Sequence, residues 1–131
     1  MTIPLWSLLI ASVLPYVWFG VASNLRKQEF GVADNFHPRL QEAKQTDRGA
    51  RAMGASANAF EALAVFAPAV LFAHFQAAAS PFAAALAMTW VGLRVGHGVA
   101  YLANKPALRT ACFALASACA IALYFVAARM L

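Results

Sequence analysis

The sequence predicts an all-α membrane protein: four transmembrane helices packed as an antiparallel bundle. Three observations predict it. The chain of 131 residues is 63% hydrophobic and only 11% charged, against roughly 45–50% and 25% in soluble domains. Its mean hydropathy is +0.65, and a chain this short has too much surface for its volume to hide that much apolar matter from water. Six of its ten basic residues, Arg26, Lys27, Arg39, Lys44, Arg48 and Arg51, fall in one stretch between apolar segments. Lipid is therefore the solvent for most of the chain, and membrane lipid its first partner.

The first helix is expected over about residues 3–23. Ile3 to Ala22 holds no charged residue and has about the ~20 residues needed to cross the hydrocarbon core. No basic residue precedes it, as one would in a signal peptide, so it reads as a retained span, with Pro15 a kink point. Residues 24–47 are polar and mixed in charge, and Gly31, Asp34-Asn35 and His37-Pro38 are loop punctuation. A second helix is expected over 48–79, rich in small residues and interrupted by Asn58, Glu61 and His74. Ser80-Pro81 reads as a turn whose proline suits the start of a third helix, expected over 82–103. Asn104-Lys105-Pro106 is a second tight connection, and a fourth helix follows over 107–128. The whole of 1–131 thus reads as one four-helix transmembrane domain.

Charge sets the expected orientation. Four crossings put both termini on one side, and the opposite side collects Arg26 through Arg51 together with Lys105 and Arg109. The positive-inside bias then places the termini outside and the loop 24–47 in the cytoplasm. The net charge of +5 is used up by that bias, and no aromatic-basic surface accompanies it, so no nucleic-acid partner is expected. Cys112 and Cys119 lie seven residues apart on one helix, too far for a disulfide, and read as packing residues. His37 and His74 have no companion at ligand spacing, so no metal is expected.

Polar residues inside membrane helices are expensive, and each needs a partner or a purpose. Arg51, Gly54, Asn58 and Glu61 follow i, i+3, i+7, i+10 spacing and so share a narrow stripe of the second helix. Trp90, Arg94, His97 and Tyr101 form a similar stripe on the third. Both stripes lie toward the same membrane face, with Arg109 just beyond, and describe a polar pocket walled by helices. Gly92 and Gly96, on roughly the opposite face of the third helix, are placed to let a neighbour approach closely. Taken singly, each polar residue also has a structural reading. Glu61 can neutralise Arg94 or Arg51, and His97 can bond between helices. Tyr101 can sit in the interfacial belt, and Arg109 can anchor the charged face.

The joint arrangement resembles a known family, the membrane-associated proteins in eicosanoid and glutathione metabolism, which includes microsomal glutathione transferases and microsomal prostaglandin E synthases. Arg51-Ala-Met-Gly-Ala-Ser-Ala-Asn58-Ala-Phe-Glu61 is similar to its second-helix signature, a basic residue followed by Asn-x-x-Glu. Gly92-Leu-Arg94-Val-Gly-His97-Gly-Val-Ala-Tyr101-Leu, with Arg109-Thr110 after it, resembles the third helix and catalytic arginine of the prostaglandin synthase branch. Asp34-Asn35 with Pro38-Arg39 resembles bacterial members, which implies a bacterial inner membrane. The resemblance covers essentially the whole chain.

It implies a homotrimer of four-helix subunits with glutathione as co-substrate, bound near the cytoplasmic face at each subunit interface. Arg51, Asn58, Glu61, Arg94, His97 and Tyr101 would contact the tripeptide, and Arg109 would face its sulfur. The chemistry is coherent. Two carboxylates call for arginines, and an ammonium calls for a carboxylate such as Glu61. An adjacent guanidinium favours the thiolate, the reactive form of a thiol. The implied activity is conjugation of glutathione to lipophilic electrophiles or reduction of lipid hydroperoxides. Three positions depart from the family pattern: Gly54 where it often has arginine, Ala62 where some enzymes have tyrosine, and Asn24 where some have arginine. The first departure motivates an alternative, a non-catalytic lipid-binding scaffold. A third reading, a proton-coupled exporter using Glu61, fits the length but not the polar company Glu61 keeps.

Overall fold

The computed structural model describes residues 1–77 and 80–128. Among these residues the chain is all helical, with α1 (Ile3–Phe30), α2 (Pro38–Ala43), α3 (Asp47–Ala77), α4 (Pro81–Leu102) and α5 (Pro106–Ala127). Four of them, α1, α3, α4 and α5, are long and apolar enough to cross a membrane. The expected end of the second span at residue 79, and Arg129, the last charged residue of the sequence, lie outside the described residues.

The end of the first helix and the segment after it differ from expectation. Hydropathy marks where a chain leaves hydrocarbon, not where its helix ends. Leu25, Arg26, Lys27, Gln28 and Glu29 are good helix formers, so α1 runs on past residue 23 to Phe30. What stops it is Gly31, whose φ of 77° closes the helix while its N–H bonds the Lys27 carbonyl at 2.9 Å. The segment expected as loop also contains α2, opened by Pro38. The loop is tied down throughout. Asp34 Oδ1 accepts from the backbone N–H groups of Phe36 and His37 at 2.9 and 3.0 Å. Arg26 donates to Glu42 at 3.1 Å and to the Pro38 carbonyl at 3.3 Å. Thr46, just before α3, donates its hydroxyl to Glu29 at 2.7 Å.

The short connections form as their residues dictate. The Ser80 hydroxyl accepts from the Ala83 N–H at 3.2 Å, and Pro81 opens α4. After α4 the chain turns through Asn104 at φ 55°, and the Lys105 N–H bonds back to the Ala100 carbonyl at 2.9 Å. Asparagine tolerates that left-handed conformation better than other side-chain-bearing residues.

α3 and α4 form the centre, each packed against the other and against both α1 and α5. α1 and α5 occupy the far corners. The main core joins Phe66, Ala69 and Val70 of α3, Ala83, Ala87 and Trp90 of α4, and Ala116, Ala120 and Leu123 of α5. Phe66 and Trp90 stack with ring centroids 3.7 Å apart and planes 5° from parallel. The many buried alanines let the helices approach closely, where packing rather than the hydrophobic effect holds membrane helices together. The glycine that does the same is not one of the expected pair. A Cβ on Gly92 would meet nothing within 4 Å, and one on Gly96 would make only ordinary contact with Cys112. Gly98 is the close-approach residue: a Cβ there would run into the indole of Trp18 on α1. The contact fell on the face of α4 that turns toward α1, a face spacing alone could not assign to a neighbour.

Candidate functional site

α3 and α4 run antiparallel, so the first half of α3 lies level with the second half of α4. The register is visible in contacts. Arg51 Nε donates to the Leu102 carbonyl at 3.3 Å, Gly54 faces the ring of Tyr101, Asn58 meets Arg94 and Phe66 meets Trp90. The two stripes read from spacing therefore face one another.

At their centre is a hydrogen-bonded chain of three residues. Arg94, only 2% exposed, donates through Nη2 to Asn58 Oδ1 at 2.7 Å and to the Asn58 carbonyl at 3.0 Å. The Asn58 amide nitrogen donates in turn to Glu61 Oε2 at 3.3 Å. Glu61 makes no ion pair with Arg94 or Arg51; Asn58 stands between the carboxylate and the buried guanidinium. Arg94 Nε is buried with no hydrogen-bond partner among the described residues. His97 is 3% exposed, with its ring 5.7 Å from that of Tyr101 and 6.4 Å from that of Phe113.

Two clefts open beside this chain. A polar one of about 240 Å³ is lined by Asn58, His97, Tyr101, Arg109, Thr110 and Phe113. An apolar one of about 330 Å³ runs between α3, α4 and α5, with Glu61 and Arg94 on its wall beside Val65, Trp90, Ala116 and Ile121. Phe113 lines both, so the clefts adjoin. The guanidinium carbon of Arg109 lies over the Tyr101 ring, 4.6 Å from its centroid. A larger cavity of about 460 Å³, between α1 and α3 beneath Arg39, holds none of these residues.

Of the seven residues singled out from the sequence, the structure gathers Asn58, Glu61, Arg94, His97, Tyr101 and Arg109 around the adjoining clefts. Arg51 lines neither. Asp47, one turn earlier, accepts from its Nη1 at 3.0 Å, and the end of α4 takes its Nε. Among the described residues no cluster of three metal-ligating side chains occurs. The α5 wall was missed from sequence. Phe113, Ser117 and Ile121 recur every four residues, as do Ala116 and Ala120. In a helix apolar on every side, that stripe carries no contrast.

The MAPEG family model matches residues 3–129. No curated protein and no solved structure matches the chain. With four membrane-length helices, the Asn58-x-x-Glu61 and Arg94-x-x-His97 stripes in facing register and a match over nearly its whole length, the chain belongs to the MAPEG family, a family of membrane proteins of glutathione and eicosanoid metabolism.

Proposed function

We propose that the chain is a membrane-bound glutathione-dependent enzyme, a transferase or peroxidase, that joins glutathione to lipophilic electrophiles or uses it to reduce lipid hydroperoxides. The observation that carries this is the adjoining pair of clefts, one polar and holding Arg109, the other apolar, meeting at Phe113. A water-soluble thiol and an apolar electrophile can then meet without either crossing the other's solvent.

The residues present fit a peptide with two carboxylates, an ammonium and a thiol. Arg94, bonded to Asn58 of the polar cleft, carries its guanidinium on the wall of the adjoining apolar cleft, and charge-assisted hydrogen bonds to carboxylates are among the strongest available. Glu61 is held by a single hydrogen bond from Asn58, leaving acceptor sites for an ammonium. Tyr101 adds a donor at the polar end, and His97 a ring nitrogen. Arg109 has a guanidinium at the cleft wall that favours the thiolate over the thiol. In conjugation the thiolate sulfur forms a bond to the electrophilic carbon as the leaving group departs with its electron pair.

Glu61 is exposed on the flank of the isolated chain, at a depth where the helices are apolar. A carboxylate facing hydrocarbon is costly, and a neighbouring subunit removes that cost. This supports the homotrimer of the family reading, which native mass spectrometry in detergent tests directly: a mass of one chain argues against it. The clustering of basic residues on the loop side supports a cytoplasmic site with both termini outside.

The decisive experiment is ultraviolet absorbance of the thiolate on purified protein titrated with glutathione at neutral pH. A saturable signal is expected, lost in Arg109→Ala. Unchanged turnover in Arg109→Ala would overturn the role given to that residue. Saturable fatty-acid binding with no glutathione signal would instead favour a lipid-binding scaffold, in keeping with Gly54 at the position where the family often carries arginine.

A further inference from the structure

Gly54 stands on the same face of α3 as Arg51 and Asn58, yet brings no side chain to it. The space is filled from α4. A Cβ on Gly54 would lie 2.6 Å from the Tyr101 hydroxyl and 2.8 and 3.0 Å from its Cζ and Cε1 atoms, so the phenol leans into the gap. The same ring is met edge-on by His97 at 5.7 Å and covered by the Arg109 guanidinium at 4.6 Å. It is thus held from α3 by an absence, from α4 by a second ring and from α5 by a cation.

Arg109 needs such a partner. It sits in the first turn of α5, whose N-terminus carries the positive end of the helix dipole and disfavours a cation. Its side chain makes no ion pair and no hydrogen bond among the described residues. An unheld arginine samples many rotamers, and a guanidinium that wanders stabilises no charge at a fixed point. The face of an aromatic ring attracts it and limits where it goes. We propose that Tyr101 is a positioning residue for Arg109: seated over Gly54, its ring fixes the guanidinium at the wall of the polar cleft, and Gly54 is the residue that makes room. The geometry stands by itself; the catalytic consequence rests on the thiolate role given to Arg109 above.

The test uses three variants of the whole chain in detergent, with Arg109→Lys as a fourth for assignment. Tyr101→Phe keeps the ring and loses the hydroxyl. Tyr101→Leu loses the ring. Gly54→Ala keeps the ring but drives it from its seat. The first readout is the ring-current shift of the Arg109 Nε–Hε resonance, assigned by its disappearance in Arg109→Lys and needing no glutathione. It is expected in the native protein and in Tyr101→Phe, and to vanish in Tyr101→Leu and Gly54→Ala. The second is the fraction of bound glutathione present as thiolate, followed across pH and normalised to sites occupied. It is expected to fall about two- to fivefold at neutral pH in the latter two, the effect of losing one exposed cation–π contact. A loss of folding alone would reduce the sites occupied but leave the thiolate fraction per site unchanged. A ring-current shift absent from the native protein, or persisting in both Tyr101→Leu and Gly54→Ala, would overturn the proposal. So would a full thiolate fraction in Tyr101→Leu. A shift that behaves as expected, with no thiolate even in the native protein, would uphold the positioning and refute the chemistry assigned to Arg109.

Discussion

At the scale of single residues, the structure turns on how a buried guanidinium is satisfied. Arg94 is held by two oxygens of one neutral residue, Asn58. Asn58→Ala removes one of those acceptors and also the donor to Glu61, leaving a buried charge under-satisfied. A loss of about 1–3 kcal/mol is expected, read as a lower melting temperature in detergent, and Asn58→Asp should be tolerated better because it keeps the acceptor. The six residues at the clefts were legible from sequence because polar side chains stand out in an apolar helix and helical periodicity says which share a face. Their partners were less so. Spacing suggested Glu61 as a direct counter-charge, whereas Asn58 intervenes. Arg51 shares the stripe but is drawn off by Asp47, four residues earlier, a local pairing that competes with any role further along the face. The stacking of Arg109 on Tyr101 was not legible at all, since it depends on how the Asn104 turn sets α5 against α4.

Among the elements, the segment between α1 and α3 departs furthest from a plain loop. Arg26 and Glu42 pair at 3.1 Å with side chains 6% and 8% exposed, and Arg39 pairs with the other Glu42 oxygen at 2.9 Å. Removing one member of a buried pair leaves the other uncompensated. Glu42→Ala is therefore expected to free α2 and speed tryptic cleavage at Arg39 and Lys44, while the four spans keep their helical signal. Asp34 gives the same segment a dependence on pH. The hydrogen bond from the His37 N–H, aided by that from Phe36, holds its carboxyl below the ordinary value of 3.8. A depressed carboxyl contributes its stabilisation above that value and loses it as the pH falls through the lower one. Protection of the Phe36 and His37 amides from hydrogen exchange, taken relative to the intrinsic rate at each pH, is thus expected to hold at neutral pH and to be lost only at a pH below 3.8, and Asp34→Asn to abolish the transition. At the α1–α4 crossing, Gly98→Ala sets a methyl against Trp18 and is expected to cost about 1–3 kcal/mol; Gly92→Ala, with open space around it, serves as the neutral control. Sequence located the spans because twenty apolar residues are a strong signal. It could not find α2, six residues long and without an apolar stripe, or the last turns of α1, which are helical but polar.

For the molecule as a whole, the antiparallel order of four spans was legible, whereas their arrangement was not. α3 and α4 touch every other span, and α1 and α5 lie apart; which pairs become neighbours is decided by the shapes of alanine, glycine and tryptophan surfaces. Of the six cleft residues read from the sequence, five lie on the central pair, and α5 supplies Arg109 and the apolar wall. That wall opens sideways: Val65, Phe113 and Ile121 are all exposed at its rim. On the function proposed above, an electrophile arriving by this route would be dissolved in the bilayer before it is bound, so the concentration governing its capture would be its mole fraction among lipids and not its molarity in the tube. Adding empty micelles at constant total substrate is therefore expected to slow turnover of an apolar electrophile by surface dilution. A small hydrophilic electrophile, reaching the sulfur through the polar cleft, should show no such dependence.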